Sequence, residues 1–180
     1  DIWAGLTQAG RLIISLDPTL IEITARSFKV TLTATLLSVA IGLPLGAWLA
    51  ISRFRFRRLV IAVMNALMGL PPVVIGLMVY VILSRSGPLG VLGLLFTTSA
   101  MVIAQTIIIS PIIASVAHQV VRDLWAEYHD LLISINTSRW QRTRTLIWDS
   151  KRGLMTASLT GFGRAIGEVG AIMIVGGNIE

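Results

Sequence analysis

The sequence predicts an all-α integral membrane protein: about four transmembrane helices, an N-terminal interfacial helix, and a cytoplasmic loop with a short helix of its own. Three observations carry that expectation. Of the 180 residues, 54% are hydrophobic and only 13% charged, and mean hydropathy is +0.81, whereas soluble domains carry about 25% charged residues. Segments 30–52, 59–84 and the latter part of 86–117 can each cross the bilayer core of about 30 Å without a charged side chain, and 154–179 is a fourth, interrupted only by Arg164 and Glu168. The net charge of +6 is unevenly distributed between the connections.

That distribution sets an orientation. Arg53, Arg55, Arg57 and Arg58 fall between the first two spans, and Arg122, Arg139, Arg142, Arg144, Lys151 and Arg152 between the third and fourth. The opposite side holds only Arg11, Arg26, Lys29 and Arg85. The positive-inside rule therefore places both basic loops in the cytoplasm and the N-terminus outside. The positive charge is a topology anchor rather than a nucleic-acid surface. The absence of cysteine excludes a disulfide scaffold and thiolate metal sites.

Along the chain, Ile2, Trp3, Leu6, Ile13 and Ile14 form an apolar stretch over 2–16. It is too short to span and is expected to lie in the outer interface. Asp17-Pro18 is a cap residue followed by a proline at the first helical position, so a helix starts there and runs past Arg26 and Lys29 into the first span. The glycine pair Gly42 and Gly46 lets another helix backbone approach closely, and Pro44 bends the helix between them. In the second span Asn65 precedes Gly69-Leu70-Pro71-Pro72. Two adjacent prolines remove two donors and exclude regular helix locally, and irregular backbone at membrane depth needs protein or a water-filled cavity over it. An outer turn follows at 84–90, and Ser110-Pro111 kinks the third span.

Polar residues return over 118–153. Leu124, Trp125, Tyr128, Leu131, Leu132, Ile133 and Ile135 give one helical apolar face, and Trp140, Leu146, Ile147 and Trp148 a second. Such faces pack on the protein's own inner surface or headgroups, or dock in a groove on a soluble partner. In the last span, Arg164 lies about 15 Å beyond Leu154, where an ionised group costs roughly 2.5–3.5 kcal/mol on insertion scales. Small residues recur there in two stripes, Ala157, Gly161 and Ala165, and Gly163, Gly167 and Ala171. No Gly-rich loop ends in Gly-Lys-Ser/Thr to cradle nucleotide phosphates. His118 and His129 read as loop histidines, and no catalytic constellation stands out.

These features resemble the permease subunit of a binding-protein-dependent ABC importer. That family's inner loop carries Glu-Ala-Ala, three residues, Gly, nine residues and an apolar-x-Leu-Pro ending. Here the matching positions read Asp130-Leu131-Leu132, Asn136 and Ile147-Trp148-Asp149, flanking Ser138-Arg139-Trp140; aspartate, asparagine and Asp149 replace glutamate, glycine and proline. Phe162-Gly163-Arg164-Ala165-Ile166-Gly167-Glu168-Val169-Gly170-Ala171, with Gly177-Asn178-Ile179, resembles the segment shared by molybdate, tungstate and sulfate permeases. Leu70-Pro71-Pro72-Val73-Val74-Ile75-Gly76 is similar to the same group. Gly163, Met68-Gly69 and the 84–90 turn look nearest to the tungstate-type branch.

The resemblance implies a single permease domain over 1–180, expected to be cut short at its C-terminus, with 118–153 as the coupling loop. It implies a homodimer in the cell membrane, two ABC ATPase subunits and an extracytoplasmic oxyanion-binding protein. ATP and Mg would sit on the ATPase, and the chain itself would bind no cofactor, metal or nucleic acid and catalyse no reaction. The coupling residues would be Asp130, Leu131, Leu132, Asn136, Arg139 and Trp140. The translocation pathway or helix packing would use Pro71, Pro72, Gly163, Arg164, Gly167, Glu168 and Asn178. Two roles fit Arg164 and Glu168: neutralising each other within the helix packing, or providing and tempering positive potential for a dianion. The alternatives are a molybdate or sulfate permease of the same group or, in a different class, a stand-alone anion channel or secondary carrier. Carriers more often show inverted halves with several buried titratable groups, and no such repeat is evident.

Overall fold

The structure, a computed structural model, describes residues 15, 18–168 and 175–176. All regular structure among them is helical. Of the interfacial stretch at 2–16 only Ser15 is described; the rest of it, Asp17, Ala171 and Asn178 lie outside the described residues.

The first helix, α1 (Pro18–Ile51), starts at the expected proline and continues through Pro44 as one element. Its glycines have the purpose their spacing implied. A Cβ on Gly46 would run into the backbone carbonyl of Ala114, and one on Gly42 would press on Ile113 and the Ser110 carbonyl. The two helix backbones therefore approach closely, as small residues allow in membrane helix pairs.

The second expected span is two helices, α2 (Arg57–Gly69) and α3 (Pro72–Leu83), bent by 102° at the break. Leu70 and Pro71 adopt extended backbone, with ψ of 135° and 131°, and Pro72 opens α3. The first turn of a helix is where a missing N–H costs least. A 3-10 turn (Gly90–Leu92) and the left-handed residues Gly93 and Phe96 then lead to the cap Thr97, whose hydroxyl accepts from the Ala100 N–H.

The central element is α4 (Thr98–Ser134), which touches all five other helices. Its 37 residues make a rod about 55 Å long, nearly twice the hydrocarbon thickness. The polar stretch that begins at His118 is thus the continuation of α4 and not a separate element. Helical pattern alone does not show this, because apolar periodicity is read in windows and the run of polar residues looks like a span's end. After Ser134 the chain turns through Asn136 into α5 (Arg139–Asp149), and Ser150 leads directly into α6 (Lys151–Gly167).

By length and composition, α1 and α4 can each cross a membrane, and the bent pair α2–α3 makes up to three spans among the described residues. The fourth expected span differs from a single helix over 154–179: α6 stops at Gly167, with Glu168 at its cap. α6 runs antiparallel to α4, with Gly153 against Val120, Gly161 against Ile113 and Ile109, and the Ala165 carbonyl at Gln105. Beyond the break, Val175 is buried with Ile75, Val79, Leu83, Ala100, Ala104 and Ile108 at the Thr98 end of α4.

Candidate functional site

Where α6 ends, three polar side chains gather in an otherwise apolar bundle. Gln105, fully buried on α4, donates from Nε2 to the Ala165 carbonyl at 2.8 Å. The Glu168 N–H donates to the same carbonyl at 3.3 Å. Orphan carbonyls of a helix's last turn need such partners when water is absent, so an amide from 60 residues earlier closes the helix. The Gln105 Oε1 is buried with no partner among the described residues.

Arg164 and Glu168 meet directly, Nε to Oε1 at 2.7 Å. Arginine preceding glutamate is the weaker order within a helix. Here the glutamate is past the last helical turn and the cation sits within it, where the helix dipole favours positive charge. The two side chains are unequal in environment: the arginine is 46% accessible and the glutamate 9%. Gly163 and Gly167 flank the arginine on the same face, and a Cβ at either would touch nothing among the described residues.

The proline break is also open. Gly69, Leu70 and Pro71 are exposed and Pro72 is half-buried. Irregular backbone at membrane depth requires protein or a water-filled space over it, and the described residues leave this break exposed. On α2, Asn65 accepts the hydroxyl of Ser115 from α4 at 3.2 Å, joining the elbow to the central rod.

At the other end, the two basic connections lie together. Arg57 donates from Nε to the Leu49 carbonyl in the last turn of α1 at 2.8 Å, and its terminal nitrogen lies 3.3 Å from His118 Nε2. A guanidinium only donates, so the imidazole accepts there and is neutral. His118 is buried within α4 and His129 lies on the same helix, which corrects the reading of both as loop residues. Arg57 closes a helix end as well as adding positive charge.

The expected coupling residues fall at the α4–α5 junction. Leu131 is exposed and Leu132 buried, and Asp130 faces solvent beside His129. Asn136 has φ of 50°, the left-handed conformation that glycine favours and asparagine tolerates best among the other residues. Asparagine at the position where the resembling family has glycine is thus the conservative exchange. Ser138 and Gln141 form a reciprocal capping box that starts α5. Trp140 and Trp148 stand exposed on α5, each beneath a cation, Arg144 and Lys151. Arg139 opens the helix. The structure therefore brings Arg164, Glu168, Gly163 and Gly167 together at one helix end, and the coupling set at another place; Pro71 and Pro72 form a third. Gln105 and the Arg57–His118 contact were not anticipated. Gln105 had one sequence signal, a lone amide inside the apolar run 100–109.

The chain matches, over residues 42–179, the family described as the binding-protein-dependent transport system inner membrane component. It belongs to that family. The permease is 38% identical, over 98% of its length and 77% of the relative's, to the tungstate uptake system permease protein of Peptoclostridium acidaminophilum. It is 39% identical to a probable anion ABC transporter permease protein of Haloferax volcanii, over 89% of this chain and 69% of that one. A tungstate uptake system permease protein of Campylobacter jejuni is 30% identical over 99% of this chain and 75% of its own. As an inner membrane component of an ABC transporter, the chain is the permease and not the ATPase.

Proposed function

We propose that this permease forms the membrane pathway of an ATP-driven oxyanion importer, with tungstate as the first candidate substrate. The observation that carries the reading is Arg164: a cation held at a helix end, turned to an open face of small residues, with its counter-ion buried behind it. Positive potential on such a face favours a dianion, and Glu168 keeps it from becoming a tight trap. The names of the tungstate and anion relatives point the same way. Two copies pair across the α6 face and the Pro71-Pro72 elbow, which gives both a cover that the described residues do not supply. Asn178 belongs to the same segment.

In this reading the basic connections face the cytoplasm, and the N-terminus lies outside with the substrate-binding protein. Each α5, with Trp140, the Asp130–Leu132 end of α4 and the Asn136 turn, docks into one of two ATPase subunits. ATP and Mg bind there, and the cycle alternates the pathway between inward-open and outward-open. The chain is one permease domain, and 118–153 is its coupling region.

The test is uptake of radiolabelled tungstate by vesicles containing the whole complex, with molybdate and sulfate as competitors. Tungstate uptake that requires ATP and the binding protein is expected. Uptake that persists without ATP would establish the channel or carrier alternative, and stronger competition by molybdate or sulfate would reassign the substrate. For the docking region, Leu131→Asp is expected to uncouple ATP hydrolysis from uptake while leaving membrane insertion intact. Wild-type co-purification of the ATPase and wild-type coupling with this variant would place docking elsewhere.

A further inference from the structure

Between the end of α1 and the outer flank of α5 lies a groove of about 670 Å³. Its walls are apolar and aromatic, chiefly Trp48, Ile51, Trp125 and Ile147, and its mouth carries Arg53 and Arg142. No acidic side chain among the described residues lines it. Trp48 is half-exposed and stacks on Phe54 at 5.0 Å between ring centroids. From Ile51 the lining descends α1 to Pro44, about 10 Å along the helix. The groove thus combines cations, tryptophan and apolar walls along a helix that can cross a membrane, which is the composition of a membrane interface.

We propose that this groove is a binding site for an acidic phospholipid of the inner leaflet, its phosphate between Arg53 and Arg142 and its chain along Trp48 and Ile51. The charge complementarity selects an anionic headgroup, since basic pockets at the cytoplasmic side of helix bundles attract such lipids. The descent along α1 selects a lipid over a soluble protein: a chain follows the helix into hydrocarbon, and a cytoplasmic surface reaches only the mouth. Because the two arginines belong to different elements, the bound lipid ties the end of α1 to α5. Coupling to the ATPase then depends on acidic lipid. The inner-leaflet assignment rests on the orientation proposed above.

The test counts lipids retained by the intact permease–ATPase complex in native mass spectrometry, after exchange into phosphatidylglycerol or phosphatidylcholine. The double variant Arg53→Gln/Arg142→Gln is expected to retain phosphatidylglycerol roughly tenfold less well. Arg55→Gln/Arg58→Gln, which removes the same charge outside the groove, is expected to match wild type. Ser52→Phe narrows the groove without changing charge and is expected to reproduce the loss, which keeps the test open if the arginine variant does not fold. Equal loss from both arginine pairs would overturn the site in favour of diffuse surface charge. So would equal retention of phosphatidylcholine, or unchanged retention in Ser52→Phe. Release of the ATPase from the groove variant with phosphatidylglycerol still bound would make the ATPase the occupant. No transport step enters the readout, so a complex that keeps the lipid yet imports no oxyanion would sink the proposed function and leave the site standing.

Discussion

Ala157, Gly161 and Ala165 on α6 are packed against α4, where a Cβ on Gly161 would collide with Ile113. Gly163 and Gly167 on the same helix have open space where a Cβ would stand. In sequence the two stripes are equivalent, small residues at four-residue spacing in an apolar segment. In the structure one is filled by the chain's own central helix, and the other meets nothing among the described residues. Small residues in a membrane helix mark where a neighbour comes close, but only the fold tells whether that neighbour is internal. Arg164 lies beside the open stripe, which is why that face, rather than the packed one, carries the proposed pathway.

The largest effect that can break this contrast comes from enlarging both stripes. Gly161→Leu is expected to cost about 3 kcal/mol or more through overpacking against Ile113, seen as loss of folded complex in size-exclusion chromatography. Gly163→Leu is expected to leave the single chain folded and to lower uptake on the order of tenfold by blocking the partner face. If both variants unfold alike, the open stripe is internal after all. Glu168→Gln follows in size. It removes the counter-ion from Arg164 and is expected to alter oxyanion uptake by roughly a few-fold, with assembly unchanged. Loss of folded protein without a transport-specific defect would assign the pair to helix packing alone. Asn136 provides the smallest and sharpest case, because its constraint is backbone conformation and not space. Asn136→Gly is expected to match wild-type thermal stability within a few tenths of a kcal/mol, whereas Asn136→Val is expected to cost about 1–2 kcal/mol. Equal stability of the two would remove the left-handed turn as a determinant of the α4–α5 junction.

Much of this architecture is legible in residue order, because the bilayer leaves few choices. The apolar spans, the Pro18 start, the Gly42–Gly46 approach and the discontinuity at Pro71-Pro72 all follow from local chemistry. The 102° bend does not, since the prolines dictate that the helix stops but not the direction in which it resumes. The end of α6 was hidden for a different reason. Apolar periodicity continues past Glu168, and the amide that closes the helix, Gln105, comes from a distant part of the chain. The same holds for His118: polar neighbours make it look like a loop residue, and only the return of Arg57 from α2 shows it as part of the packed interior.

The unbroken length of α4 gives the molecule a lever. One end carries Gln105 against the closing turn of α6, and the other carries Leu131 and the turn into α5. Tilting a 55 Å rod about its middle by about 10° swings each end by roughly 5 Å. If α4 stays stiff through Pro111, motion at the Leu131 end reaches the Arg164 region as leverage in the opposite direction, delivered through the Gln105 contact with the Ala165 carbonyl.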